Sequence, residues 1–489
     1  MLFNSYIFIF AFLPLCIIGY YMLRRRYAHT AKVWLIAFSL WFYGYFNISY
    51  LAIMVLSVLG NYLLYRCMSR YDKLKKKVFI LGIIANLAVL FYFKYFDFFI
   101  DNVNVIFKSS IPLKGILLPL GISFFTFQQI SFLHDSYRGE MQNVGFVDYA
   151  LFVTFFPQLI AGPIVTGEEM LPQFRTIGER PFDEHGFARG IYIFVIGLAK
   201  KVLLADTFAG AVDYGYSAVA DISSTEAVLV ILFYTLQLYF DFSGYCDMAI
   251  GIGKMLGFDI ALNFNSPYKS GSITEFWKRW HITLNRFFTK NIYIPLGGNR
   301  KGKLRMYANL LIVFFLSGLW HGAGWNYVLW GCMHGLLYVI TRAWQRAKQG
   351  KTGSSKPVRA VSILLTFIFI NVAWVFFRAA DVSEALQLFD AVARMKWVVP
   401  GENFAEFFNL GEFWYVLKIL HLTDIAFGKY LMMIIFTLAA LVIVFFMPNV
   451  HEMADKTQFK PVSAILTALV FIWCVVSLSG VSTFLYFNF

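Results

Sequence analysis

Charge is scarce in this 489-residue chain: only 14% of residues are Asp, Glu, Lys or Arg, against roughly 25% in soluble domains. With 59% hydrophobic residues and a mean hydropathy of +0.64, a water-soluble fold of this length could not hide its apolar surface. Cysteine is scarce as well. The five (Cys16, Cys67, Cys246, Cys332 and Cys474) are scattered through apolar stretches, without a C-x-x-C pair or a metal-ligand spacing, so buried free thiols are expected. A serine nucleophile elbow, a zinc signature, a phosphate loop and a dinucleotide fingerprint are all missing. The short alternating segments of a β-barrel are missing too. A secretory signal is also not evident: the first apolar run, Asn4 to Met22, is followed by Arg24, Arg25 and Arg26 and not preceded by them, the reverse of a signal peptide.

What is present is a series of apolar runs of about the length needed to cross a bilayer. They cover Asn4–Met22, Lys32–Tyr45, Leu51–Met68, Val78–Ile100, Gly190–Leu204, Ala227–Gly251, Met306–Trp320, Tyr327–Trp344, Val361–Phe377, Leu431–Met447 and Ala464–Thr483. The expected fold is therefore all-α, a polytopic membrane protein of about 11 transmembrane helices, forming one integral domain over 1–489. Net charge is +14. The excess is clustered beside the runs, at Arg24–Arg26, Lys73–Lys77, Arg300–Lys303, Arg342–Lys351 and Lys456–Lys460. That is the positive-inside pattern of anchors on anionic lipid, and nucleic acid need not be invoked. Taken as cytoplasmic, these clusters place both termini outside and make 379–428 an extracytoplasmic loop with short helices. Within it, Val382 to Arg394 has a helical apolar period. The scheme requires the irregular segments between Ile100 and Arg300 to add an odd number of crossings.

Three segments do not read as simple spans. Leu117 to Asp135 carries Pro119, Gly121, Gln128, Gln129, His134 and Asp135. Phe152 to Val165 carries Pro157, Gln158, Gly162 and Pro163. Ile273 to Leu296 sets Glu275, Lys278, Arg279, His281, Asn285 and Arg286 among aromatics. Broken or re-entrant helices lining a pocket fit these compositions, because irregular backbone at membrane depth must be covered by protein or water. For Ile273–Leu296 an amphipathic helix lying flat on the membrane fits as well.

An ionisable residue at bilayer depth is a functional-site candidate, and histidine is the side chain suited to moving a proton near neutral pH. His321 lies in Ser317-Gly318-Leu319-Trp320-His321-Gly322, where glycines permit close approach and Trp320 supplies a flat apolar wall. His281 follows Phe276-Trp277-Lys278-Arg279-Trp280, with Asn285 four residues on, the spacing of one helical face. A neutral buried imidazole can take a proton from a hydroxyl attacking an acyl carbon. His134 and His334 read as ordinary buried histidines. Gln237, Asp241 and Tyr245 share a face by their spacing. Such an acid could orient a histidine, bind a polar part of substrate, or serve a structural hydrogen-bond network.

Phe276 to Leu284, then Tyr293-Ile294-Pro295-Leu296-Gly297-Gly298-Asn299, and the segment Ser317–Gly322 resemble the two signatures of the membrane-bound O-acyltransferase superfamily. The resemblance extends to Tyr239–Asp247, Thr154–Pro163 and Leu485-Tyr486-Phe487, so it covers most of the chain. It is strongest to the bacterial alginate and exopolysaccharide O-acetyltransferase branch, with teichoic-acid D-alanyl transfer as the neighbouring branch. It implies a helical bundle around a central tunnel, with His321 as catalytic histidine and His281 at the second active-site position. That position is asparagine in many eukaryotic members. It further implies acetyl-CoA or another cytoplasmic acyl thioester as donor, without a metal. The acceptor would be a polysaccharide or an extracytoplasmic partner acetyltransferase, and the location the bacterial cytoplasmic membrane. Arg279 would then meet an anionic donor or anchor lipid, with Trp280, Asn285, Gln237, Asp241 and Trp320 as further substrate-binding candidates. Two other functions compete: a proton-coupled transporter, which usually shows related halves that are not evident here, and a passive acetyl conduit.

Overall fold

A computed structural model describes residues 1–348, 355–409, 411, 418–419, 428–458, 460–479 and 484–485. Among them every regular element is helical. Each apolar run of the sequence falls on helix among the described residues; the end of the last run, 480–483, lies outside them. Six helices are long and apolar enough to cross a membrane by length and composition: Ile48–Arg70, Asp72–Phe107, Ser224–Met255, Lys303–His321, Lys356–Arg378 and Gly428–Phe445. Ser224–Met255 differs from the rest in that 78% of its most apolar window is buried inside the protein. That burial suits a helix carrying Gln237, Asp241 and Asp247.

Packing divides the chain into two compact units, neither continuous in sequence. The first comprises Met1–Phe194, Cys246–Leu262 and Thr283–Pro295; the second comprises Val195–Tyr245, Asn263–Ile282 and Leu296–Phe489.

In the first unit, Ile122–Tyr137 is one unbroken helix whose side chains are almost all buried. The interruption expected within Leu117–Asp135 lies at its start, because Pro119 and Gly121 precede the helix. Gly121 has φ 71° and lies so close to the next segment that a Cβ would stand 2.8 Å from Leu159 O. Only glycine accepts both conditions. The second irregular segment does break: Phe146–Thr154 and Phe156–Leu159 meet at Phe155, whose ψ of 107° ends the first helix. Asp135, fully buried, pairs with Lys290 at 2.8 Å. Phe127 stacks on Phe287 with centroids 4.1 Å apart.

In the second unit, Lys303–His321 and Trp325–Ala347 form a hairpin whose helices touch backbone to backbone. A Cβ on Gly318 would lie 2.4 Å from Tyr327 O, and one on Gly331 would lie 2.5 Å from Phe314 O. Small residues at such a crossing are the usual route to close helix contact in membranes. Asn326, in the first turn of the second helix, donates to Ala379 O at 2.8 Å and Phe376 O at 3.2 Å, which ties the end of Lys356–Arg378 to the hairpin. In the segment 379–428 the chain forms the helices Val382–Ala393 and Glu402–Glu406; 410, 412–417 and 420–427 lie outside the described residues, as do Tyr486 and Phe487.

Candidate active site

The third irregular segment forms the site. Ile273–Arg279 is a short helix capped by Ser272, whose hydroxyl accepts from Glu275 N. It stops at Trp280, where the backbone becomes extended, and a second helix begins at Ile282. Between them His281 has φ 46°, in the left-handed region that a non-glycine residue adopts at a cost of about 1–3 kcal/mol. The surrounding chain holds it there. Asn263 O accepts from Ile282 N at 3.0 Å, and Arg279 O accepts from Asn265 N at 2.9 Å, so 263–265 runs alongside the break as a backbone clip.

The same clip sets the ring. His281 Nδ1 lies 3.1 Å from Asn263 Oδ1. An amide oxygen only accepts, so the imidazole proton sits on Nδ1 and the lone pair is on Nε2. The ring is completely buried. Phe242 stands edge-on to it at 4.9 Å and Trp320 at 6.0 Å.

His321 is the last residue of Lys303–His321, and the chain turns extended at Gly322. A Cβ at Gly322 would overlap the Tyr327 ring at 2.1 Å, so glycine is needed to end the helix here. The His321 ring is buried among Trp320, Trp330 and Phe377, with centroids at 4.9, 5.0 and 5.1 Å. It meets His281. The two ring centroids are 6.3 Å apart and their planes are inclined by 62°.

The other sequence candidates are distributed around this pair. Trp320 touches both rings. Trp280 is buried and lies 4.9 Å from Phe264 and 5.0 Å from Trp374; it builds the wall behind His281. Arg279 pairs with Glu275 at 3.0 Å and donates to Asn265 O, so it braces the clip. Asp241 is bound by Lys201 at 2.6 Å and accepts from Leu485 N at 3.0 Å. Its neighbour Phe242 stands against His281. Gln237 lies four residues before Asp241 on the same helix and is buried. Asn285 is not on a shared helical face with His281, because the helix restarts only after the left-handed residue. A cavity of about 480 Å³ in the same unit is lined by Lys200, Tyr239, Ser266, Met432 and Trp473 among others; none of the site candidates lines it. Among the described residues no group of His, Cys, Asp or Glu could hold a metal ion.

Sequence reading missed two residues. Asn263, eighteen positions before His281, stands in an irregular stretch without hydropathy signal. Lys201, at the end of an apolar run, resembles an interfacial anchor but is buried and paired with both Asp241 and Asp206.

Comparison with known proteins agrees with the motifs. Residues 36–380 match the membrane-bound O-acyltransferase family. The chain is 40% identical to the peptidoglycan O-acetyltransferase of Helicobacter pylori, over 100% of this chain and 98% of that protein. It is 39% identical to the probable alginate O-acetylase AlgI of Pseudomonas aeruginosa, over 80% of this chain and 75% of the other. Similarity to the teichoic acid D-alanyltransferase of Streptococcus thermophilus is lower, at 26% over 54% of this chain and 69% of the other. The chain belongs to the membrane-bound O-acyltransferase family and is a multi-pass membrane protein.

Proposed function

We propose that this member of the family moves an acetyl group from a cytoplasmic acyl thioester, acetyl-CoA in the simplest case, to a hydroxyl of a cell-envelope glycan. The transfer is direct or passes through a partner acetyltransferase on the outer side. The observation that carries the reading is the approach of His321 and His281 to 6.3 Å in a buried aromatic setting. His321 is the general base. The acceptor hydroxyl gives its proton to the imidazole while its oxygen attacks the thioester carbonyl carbon. The tetrahedral adduct collapses with cleavage of the C–S bond, and the departing thiolate takes the proton back. His281, held by Asn263 with its lone pair on Nε2, accepts from a neighbouring hydroxyl of the acceptor glycan and so orients it. The aromatic walls exclude water, which would otherwise hydrolyse the thioester.

Glycan acetylation is favoured over D-alanyl transfer by the relatives, since those named as O-acetyltransferases and O-acetylases match at 38–40% identity and the D-alanyltransferases at 25–26%. The chain works as one integral domain in the bacterial cytoplasmic membrane, its basic clusters on inner-leaflet lipid, with both termini and 379–428 outside, where a partner can dock.

Purified wild-type protein, His321→Ala and His281→Ala, incubated with acetyl-labelled CoA and a glycan acceptor, test the reading. Label should move to the acceptor only with wild-type protein. Wild-type rates in His321→Ala would sink it.

A further inference from the structure

The proposed chemistry leaves the cavity of about 480 Å³ in the second unit without a role. One wall is a face of Gly428–Phe445, which lines it with Met432, Ile435, Ala439 and Ile443, the three- and four-residue steps of a helical stripe. This helix can cross a membrane, and 17% of its most apolar window is buried. Ile435 and Ala439 are exposed, so the cavity opens toward the lipid around the span. From Met432 to Ile443 the stripe runs roughly 16 Å, about half of the ~30 Å hydrocarbon core and so the depth of one leaflet. Water finds too few hydrogen-bond partners to fill such a space, whereas a hydrocarbon chain enters it from the bilayer without loss. One end of the cavity is polar. Lys200 is buried in its wall, with the ammonium 5.7 Å from the Tyr239 ring centroid and 3.5 Å from Ser243 Oγ. Tyr239 and Ser266 line the cavity beside it. Asn449 belongs to the same end, because its Nδ2 donates to Asn265 Oδ1 at 3.0 Å. The span has just finished there, at Phe445. Lys269 Nζ donates to Met447 O at 2.5 Å, and Lys456 ends the next short helix. An apolar trough that starts beside cations and runs along a span has the polarity of a phospholipid.

We propose that this cavity binds one acyl chain of an anionic glycerophospholipid, with the lipid phosphate at Lys200. The lipid is a bound partner and takes no part in acyl transfer, so the inference stands apart from the proposed reaction. A cation in the wall of an apolar cavity favours an occupant with negative charge at that end. The methionines of the lining, Met432 and Met447 among them, adapt to a flexible chain. The bound chain also has a structural consequence. Tyr239 lies 6.2 Å from Phe264 and 6.4 Å from Trp280, the wall behind His281, and Ser266 follows directly on the clip 263–265. A chain in the cavity therefore backs the clip that holds the His281 ring.

The test is photolabelling of full-length protein in phosphatidylcholine nanodiscs. Three probes with a diazirine in the acyl chain are compared: a phosphatidylglycerol, the matching phosphatidylcholine and the free fatty acid. Peptide mapping should find phosphatidylglycerol label on 196–204, 432–443 and 470–473. Its level there should exceed that of either other probe by about fivefold, the worth of one lysine near an anionic headgroup. Lys200→Met should bring the phosphatidylglycerol label down to the phosphatidylcholine level. Ala439→Trp fills the cavity and should remove its label, while the lipid-facing helix Ile48–Arg70 stays labelled. Equal labelling of the cavity by the phosphatidylglycerol and phosphatidylcholine probes in wild-type protein overturns the inference. Undiminished cavity label in Ala439→Trp overturns it too, and so does stronger label from the fatty acid than from the phosphatidylglycerol. The wild-type comparison of the three probes decides the matter even where a variant folds poorly.

Discussion

His281 and His334 are both completely buried, and each engages a partner through Nδ1, but the two positions differ in every other respect. His281 sits where two short helices are forced apart, on a left-handed residue, and its partner Asn263 is an acceptor. His334 sits in the middle of a 23-residue helix, and its partner Trp277 is a donor. The partner's chemistry reverses the tautomer: Nε2 carries the lone pair in His281 and the proton in His334. One ring is built to receive hydrogen bonds and the other to give one. His321, at a helix end and 6.3 Å from His281, belongs with the first kind of position. The acceptor nitrogen stands where the backbone is broken, and the donor nitrogen where it is regular.

Removing the proposed base gives the largest expected effect. His321→Ala should lower acetyl transfer by about 10²–10⁴-fold, the range of general-base contributions; no comparable loss should follow from His334→Phe at saturating donor. Label transfer measured over a range of donor concentrations separates the two.

Next comes the partner that sets the His281 tautomer. Asn263→Ala should reduce kcat by up to about 10²-fold with little change in the KM for donor, because the ring stays but loses its orientation. A change confined to KM would make His281 a binding residue only. Asn263 also shows where sequence reading stops. Hydropathy located the spans, and the polar residues in Ile273–Leu296 located a break, because both are local properties. The partner across the break, and the left-handed backbone at His281, depend on a clip formed by a remote irregular stretch. Helical spacing pointed to Asn285 in its place, since that rule assumes a helix that does not run through His281. His334 was read as an ordinary buried histidine for a related reason: its sequence neighbours are unremarkable for a helix, and the donor that fixes its tautomer lies 57 residues upstream.

A smaller effect is expected where the two kinds of position are joined. Gly331→Ala would press a methyl group against Phe314 O and spread the hairpin that carries His321 and His334 on its opposite arms. It should destabilise the protein by about 1–3 kcal/mol, read as a lower midpoint in thermal unfolding in detergent. Residual activity should fall through kcat, since His321 is displaced along with its arm.

The smallest effect is expected from Trp277→Phe. It leaves His334 Nδ1 without its donor and should cost about 1 kcal/mol of stability. The imidazole proton is then free to choose either nitrogen, while kcat should hold. A fall in kcat equal to that of Asn263→Ala would erase the distinction between the two histidines.

The left-handed backbone at position 281 has an evolutionary consequence. Among non-glycine residues, Asn, Asp and His enter this conformation most readily, and β-branched or bulky side chains are true outliers there. The backbone therefore restricts the substitution alphabet before chemistry is consulted, and the letters it leaves are those able to hydrogen-bond a substrate. Asparagine can therefore stand in for histidine at this position without rebuilding the turn, and the scaffold that presents the side chain stays constant.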